Sequence, residues 1–405
     1  MGQQYRAKGR KEEGLWGLDL LTDALRERIG EMIITIVNEE VAEVVGAVRY
    51  GRTGGRRGYR HGTKERQLTT GVGVTEIRMP RARLVCPDGQ EEEWHSRFVR
   101  RYQRRCVSVD AALLGAYLSG ANSRRIKGAL SPLLRGSPLS RSTISRIVGR
   151  LQELFTRWRK RSLAETSVRV LYLDAIALRV RIANKVVSAP VLVALGVSAQ
   201  GQKVVLDLEL LTSESTVAWE GFVQGLGDRG LQRPSLCVID GSKALRAAVE
   251  ATWPGMAVQR CCVHKLRNLE RYVPRHALEQ MRAEYHRITE ADCLESARQA
   301  YQGFIVKWKK VVPKAAQSLE EAGEELLTVY RFPKALWKVL RTTNAIERLH
   351  EEFRRRVKTQ GSLPDAQSAE LLFFGLLMSG QVLLRRVRGW RHLSQVPEVG
   401  VQKAA

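Results

Sequence analysis

Between Val168 and Glu209 the sequence sets out three consecutive strand-like runs, each closed by a turn signal. No other stretch restricts the fold as much. Val168 to Val180 alternates and is rich in β-branched residues, and Ala183-Asn184-Lys185 can reverse the chain. Val186 to Val197 forms a second predicted strand, Gly201 a second turn, and Lys203 to Glu209 a third strand. A helix is predicted from about Thr216 to Gly225. It is followed by a short buried strand at Ser235 to Ile239, a helix from Ser242 and a brief strand around Met256 to Gln259. Three antiparallel strands followed by alternating helix and strand describe an α/β sheet with mixed pairing. Residues 263–340 read as helical, punctuated by Pro274, Pro313 and Pro333. Further helices are predicted from near Asn344 and over Ala366 to Arg386.

Two acids break into this apolar pattern. Asp174 lies inside Val170-Leu171-Tyr172-Leu173-Asp174-Ala175-Ile176, where a charge is costly unless a cation or hydrogen bonds compensate it. Asp240 ends Leu236-Cys237-Val238-Ile239, at the carboxyl end of a strand, where α/β sheets bind ligands. The plainer reading of Asp240 is a helix cap or an Asx turn. A third acid, Glu347, borders the apolar stripe Ile346, Leu349, Phe353 and Val357 on a strongly basic helix. Its spacing from Asn344 is also that of a capping box. Oxygen-rich acidic sites prefer Mg²⁺ or Mn²⁺. Two such ions ~3.5–4 Å apart stabilise the attacking and leaving oxygens of a displacement at phosphorus.

Charge points to a polyanionic partner. Lys and Arg number 67 against 42 Asp and Glu, a formal excess of 25. Residues 1–50 carry 7 basic and 9 acidic groups, whereas residues 51–160 carry 24 basic and 8 acidic groups. In the basic block Arg56, Arg57 and Arg60 are interleaved with glycines, whose backbone can approach phosphates closely. A short strand is expected over Thr70–Met79, ended by Pro80. Residues 123–155 read as a helix-turn-helix. Ser123 caps the first helix, Gly136-Ser137-Pro138 make the turn, and Ser140 caps a second helix with an apolar stripe at Ile144, Ile147, Val148, Leu151, Leu154 and Phe155. Its other face presents Arg141, Ser142, Ser145, Arg146 and Arg150, side chains suited to the major groove. Residues 14–48 read as an amphipathic helix with Leu21, Leu25, Ile29, Ile33 and Ile36 at helical spacing.

The six cysteines are sparse and irregularly placed, and read as cytosolic thiols rather than a disulfide framework. The longest apolar run, Leu371 to Met378, is too short to cross a bilayer, so no membrane partner is expected. Cys261-x-x-His264 lacks a second pair at structural-zinc spacing. Gly225-x-Gly227-x-x-Gly230 follows a helix and precedes a strand, the reverse of a dinucleotide fingerprint. Trp219, Trp253, Trp308 and Trp337 read as core anchors.

Taken together, four segments make the chain resemble the Mutator-like transposases of bacterial insertion sequences, which carry a DDE triad. They are Leu171-Tyr172-Leu173-Asp174-Ala175, Val238-Ile239-Asp240-Gly241, the run from Gln259 through Cys261, His264, Arg267 and Asn268, and Arg341-Thr342-Thr343-Asn344-Ala345-Ile346-Glu347-Arg348. The stretch from Arg354-Arg355-Arg356 to Gly361 also fits.

The resemblance implies a ribonuclease-H-like catalytic domain with a helical insertion, preceded by a mainly helical DNA-binding region with the helix-turn-helix. The corresponding division is a helical segment at 1–50, a basic DNA-binding region at 51–160, a catalytic core at 165–262 and 341–362, a helical insertion at 263–340 and a C-terminal helix and tail at 363–405. Asp174, Asp240 and Glu347 become the catalytic, metal-holding acids, with Mg²⁺ or Mn²⁺, two ions, as cofactor. Cys261, His264, Arg267, Asn268, Thr343 and Asn344 fall in the vicinity of the active site. Arg348, Arg354, Arg355, Arg356 and Lys358 join the DNA-binding set. The implied activity is cleavage at the 3′ ends of an element bounded by terminal inverted repeats, then transfer of the 3′-OH to target DNA. The implied partners are double-stranded DNA and further copies of the chain, as a homodimer or larger assembly, in a bacterial cytoplasm at the nucleoid. Two alternatives stay open: a catalytically silent DNA-binding regulator derived from such an enzyme, and a stand-alone nuclease.

Overall fold

The computed structural model describes residues 20–51, 53–118, 141–211, 213–358, 363, 365–380 and 382–396. It divides into two compact units, residues 1–147 and 148–405.

In the first unit, helix α1 (Leu20–Val45) packs on an antiparallel sheet of β1 (Gly58–Thr70), β2 (Gly73–Val85) and β3 (Glu91–Glu93), with β2 in the middle; α2 (Val107–Leu118) follows. Ile33, Val37, Val41 and Val45 form the buried face of α1 against Leu68, Ile77, Met79 and Ala82, while Leu21, Leu25 and Ile36 are exposed. The stripe expected from sequence is therefore displaced around the helix. The expectation of a mainly helical region is also corrected, because residues 58–93 form a sheet. The strand predicted to stop at Pro80 continues to Val85. Pro80 is tolerated in a central strand because the β1–β2 ladder shifts register between Arg60 and Thr63, the latter paired with Pro80. The interruption falls where a residue without an N–H does least harm.

Helix α3 (Arg141–Arg159) crosses the division between the units. It is the second helix of the predicted helix-turn-helix, and buries Leu151 and Phe155 but leaves Leu154 exposed. The first helix from Ser123 and the turn at Gly136 to Pro138 lie outside the described residues, as do the side chains of Arg141 and Ser142.

The second unit is built on a five-stranded sheet. Its strands are β4 (Val170–Ile182), β5 (Lys185–Val197), β6 (Lys203–Leu210), β7 (Leu236–Ile239) and β8 (Val258–Arg260), in the order β6-β5-β4-β7-β8. β5 is antiparallel to both of its neighbours, whereas β4, β7 and β8 run parallel. The β4–β5 hairpin turns through Ala183 and Asn184, both at positive φ, the backbone a two-residue turn between twisted strands requires. Leu171, Leu173, Cys237 and Ile239 face α4 (Thr216–Asp228) and α5 (Lys243–Thr252) in one apolar layer. Ser215 and Ser242 cap these helices through their hydroxyls.

A second core belongs to the helical block of α6 (Cys262–Glu270), α7 (Leu278–Thr289), α8 (Leu294–Val311) and α9 (Pro313–Ala322), around Met281, Tyr285, Phe304, Trp308 and Leu319. Trp219, Trp253 and Trp308 are buried in these cores. The chain returns through α10 (Trp337–Leu340) and α11 (Asn344–Lys358) to α12 (Ala366–Met378), whose Phe373 stacks on Phe353 at 3.8 Å. α12 ends at Met378 rather than near Arg386, because Gly380 takes φ +71° and turns the chain out of the helix. No helix among the described residues is long and apolar enough to cross a membrane.

Candidate active site

Strand register brings the first two acids together. Tyr172 pairs with Val238 across the parallel β4–β7 ladder. Asp174 and Asp240 each lie two residues beyond that pair. Side chains alternate between faces, so both acids share the face of Tyr172 and Val238, opposite the apolar layer. Asp174 is 8% exposed, and its Oδ1 accepts from the Ala175 N–H at 2.9 Å. Asp240 Oδ1 accepts from the Ser242 N–H at 2.9 Å, so the plain Asx-turn reading is realised as well.

The third acid arrives on α11. Thr343 caps this helix with its carbonyl, which accepts from Ile346 and Glu347. Its buried hydroxyl lies 3.2 Å from Glu347 Oε1, 3.3 Å from Cys261 Sγ and 3.4 Å from His264 Nδ1. Asn344 is already helical and exposed, so Thr343 takes the capping place the sequence suggested for Asn344. His264 Nε2 stands 3.7 Å from Glu347 Oε1. Two backbone bonds fix this arrangement: Cys261 N–H donates to Ile239 O at 2.7 Å, and Cys262 N–H donates to Arg341 O at 2.8 Å. Thus the residues before Asp240, the start of α6 and the approach to α11 are tied together. Below them Arg260 and Lys265, both almost fully buried, pair with Glu321 at 2.8 and 2.9 Å and hold α6 against α9.

The electrostatics reflect this crowding. Burial pushes the Asp174 carboxyl up to about 7; Asp240 and Glu347 add to the rise, and His264 opposes it. A hydrogen bond to Cys261, with Asp174 and Asp240 nearby, lifts His264 to about 9 despite burial. Burial would raise the Cys261 thiol, but His264 and Thr343 outweigh it and leave the thiol below its ordinary value. The Glu214 carboxyl, on the loop before α4, is raised by partial burial and by the charge of Asp240. Among the described residues no three His, Cys, Asp or Glu side chains are arranged closely enough to hold a single ion.

One contributor was not apparent in the sequence. His350, one turn beyond Glu347, is 2% exposed and brings Nδ1 to 3.5 Å from Asp174 Oδ2. Burial, then Arg354 and His264, lower it to about 3, so the ring is neutral. Its signal was its place in the stripe of Ile346, Leu349 and Phe353, where a histidine reads as core.

The family model described as "Transposase, Mutator family" matches residues 10–382. The chain belongs to the Mutator family of transposases. It is 35% identical over 346 residues to the transposase for insertion sequence element ISRM5 of Rhizobium meliloti (strain 1021), covering 85% of each chain. It is 33% identical over 368 residues to the transposase for IS406 of Burkholderia multivorans, covering 88% of this chain and 92% of the other. A third relative, at 29% identity over 362 residues, is the transposase for IS256 in transposon Tn4001 of Staphylococcus aureus, with 88% and 90% covered.

Other positions singled out in this Mutator-family sequence are more scattered. Arg267 is exposed and Asn268 half-buried on α6. On α11, Arg348, Arg354, Arg355 and Lys358 are exposed, whereas Arg356 is half-buried; Arg355 and Arg356 both pair with Glu352. In the first unit Arg56, Arg57 and Arg60 donate to the backbone carbonyls of Gly58, Glu43 and Ala47. Ser145 and Arg146 are exposed on α3.

Proposed function

We propose that this chain is the transposase of an insertion sequence, binding the terminal inverted repeats of its element, cutting at their 3′ ends and joining each 3′-OH to target DNA. Asp174, Asp240 and Glu347 are the metal-holding acids. The observation that carries the reading is Asp174, a nearly buried carboxyl that strand register sets beside Asp240 on one sheet face and that is raised to about 7. Such a group is poorly stable as a bare anion and gains most from a cation.

The donor set fits a hard divalent ion, because it offers carboxylate oxygens and no paired thiolate or imidazole cage. Mg²⁺ or Mn²⁺ is the expected ion. Two ions sharing the set is the arrangement that in-line displacement at phosphorus uses elsewhere. Bound there, the ions would supply charge stabilisation for the attacking and leaving oxygens, water attacking in the first step and the 3′-OH in the second.

The chain's own groups do the positioning. Asp174 and Asp240 are fixed by strand register, and Glu347 by the Thr343 hydroxyl. His264 keeps a proton at the edge of the acid cluster and offsets part of its negative charge. His350 braces Asp174 from below. The sheet order, with three antiparallel strands leading into two parallel ones, supports a ribonuclease-H-like core. The separate apolar core of α6 to α9 supports reading 263–340 as an insertion.

The deciding experiment replaces Asp174 with alanine and assays binding and cleavage of duplex DNA carrying the element's ends. The expected result is binding retained and cleavage abolished. Unchanged transposition would overturn the reading in favour of a DNA-binding regulator, and cleavage without joined products in the unaltered protein would favour a nuclease.

A further inference from the structure

The segment from Trp94 to Cys106 joins β3 to α2 in the first unit. Its exposed side chains include, besides His95, an unusual set: Arg97, Phe98, Arg100, Arg101, Tyr102 and Arg104. Phe98 is 53% and Tyr102 79% exposed, and the Arg101 guanidinium lies 5.1 Å from the centre of the Tyr102 ring.

This backbone is held rigid from beneath. Glu40 of α1 accepts from Ser96 Oγ at 2.6 Å and from the Arg97 N–H at 2.5 Å. Val99 is buried, and its N–H donates to Ser96 Oγ. Arg66 of β1 donates to the carbonyls of Arg100 and Gln103. The Gln103 amide accepts from the Arg100 N–H and donates to Arg105 O. Thr69 pairs through both backbone groups, with Arg104 O and the Cys106 N–H. Tyr102 takes φ +65°, a left-handed conformation that costs a residue with a side chain. The loop therefore spends conformational energy to direct a ring and several guanidiniums outward.

Comparison with the adjoining sheet shows that this is more than general basicity. Arg78, Arg81 and Arg83 on β2 each pair with a carboxylate, Glu65, Glu93 and Glu91. Among the described residues Arg97, Arg100 and Arg104 have no carboxylate within ion-pairing distance. Unneutralised guanidiniums on a rigid frame lose little freedom when they meet phosphate oxygens. Exposed rings beside them offer faces on which sugars and bases can pack.

We propose that the loop Arg97–Arg104 is a DNA-docking surface, with Arg97, Arg100 and Arg104 on backbone phosphates of a duplex and Phe98 and Tyr102 packed against its sugars. This rests on the chain being a DNA-acting transposase, and it adds a contact outside the helix-turn-helix and the α11 arginines.

The test measures binding of the full chain to an element-end duplex across a range of salt concentrations. One triple variant is Arg97→Gln, Arg100→Gln and Arg104→Gln; its control, Arg78→Gln, Arg81→Gln and Arg83→Gln, removes equal charge from paired positions. Each phosphate contact contributes about 0.9 to the slope of log affinity against log salt. The loop variant should therefore flatten the slope by about 2 to 3, whereas the control changes it by less than about 1. Tyr102→Ala should weaken binding about tenfold and Tyr102→Phe should not, since packing needs only the ring. Equal effects of the two triple variants, or an unchanged slope in the first, would overturn the docking surface while leaving the transposase reading intact. Failure of the unaltered protein to bind DNA at all would overturn both.

Discussion

His350 Nδ1 lies 3.5 Å from Asp174 Oδ2, and its other ring nitrogen is buried with no hydrogen-bond partner among the described residues. A neutral imidazole has one proton to donate, and one carried on Nδ1 would face the carboxylate. On the proposed metal site, His350 would act as a positioning residue for Asp174. His350→Asn, whose amide can donate from nearly the same place, should bind Mn²⁺ within a few-fold of the unaltered protein. His350→Leu should lose about 10–100-fold in Mn²⁺ affinity and a similar factor in cleavage. Calorimetric titration with Mn²⁺ reads the first effect directly; a leucine variant that binds as tightly as the original would refute the positioning role.

The raised Asp174 carboxyl makes stability depend on pH in a defined direction. Its folded value of about 7 lies above that of the unfolded chain, near 4. Between these values the folded protein binds the extra proton, so the metal-free protein loses stability as pH rises. Asp174→Asn should remove this slope, stabilising the metal-free protein at pH 8 by about 2–4 kcal/mol and at pH 4 by almost nothing. Urea unfolding at the two values checks this. Added Mg²⁺ should raise the Tm of the unaltered protein more at pH 8 than at pH 5, because the ion competes with the proton.

Glu321 is the shared partner of Arg260 and Lys265. Removing it leaves the buried Lys265 ammonium without a carboxylate and Arg260 with Glu325 alone, at 3.2 Å. Glu321→Ala should cost about 1–2 kcal/mol of stability, since Lys265 is buried but Glu321 itself is solvent-exposed, and loosen the junction of β8 with α6. Since Cys261 and His264 follow immediately, cleavage should fall more steeply than DNA binding. A variant with unchanged melting would show that solvent screens the cluster.

The β4–β5 turn offers a gain rather than a loss. Ala183 has φ +47° and Asn184 φ +66°. Asparagine tolerates this backbone better than alanine does, so Ala183→Asn should stabilise the second unit by about 0.5–1 kcal/mol. A rise in Tm, with cleavage unaffected, is the expected outcome.

The catalytic-side sheet was legible in the sequence because its signals are local. Alternation marks β4 to β6, Ala183-Asn184 and Gly201 mark the turns, and Asp174 is conspicuous as a charge in an apolar strand. What escaped depends on partners distant in the chain. β1 is rich in arginine and glycine, and it became a strand only through pairing with β2 and cover from α1. Pro80 suggested an end, and only the displaced register explains its tolerance. The α1 stripe was misplaced because the helix carries apolar residues on two faces, and burial against the sheet selects between them. His350 looked like core, which it is, but its contact with Asp174 joins residues from opposite ends of the second unit.

Between Asp240 and Glu347 the chain builds an entire helical block with a core of its own. During synthesis, the first unit, the five-stranded sheet and two of the acids therefore leave the ribosome well before the third. A product cut short anywhere in that block would lack Glu347, and with it the third of the proposed metal-holding acids. Cleavage would then wait on translation past the helical block, since only a chain that has reached Glu347 holds all three acids.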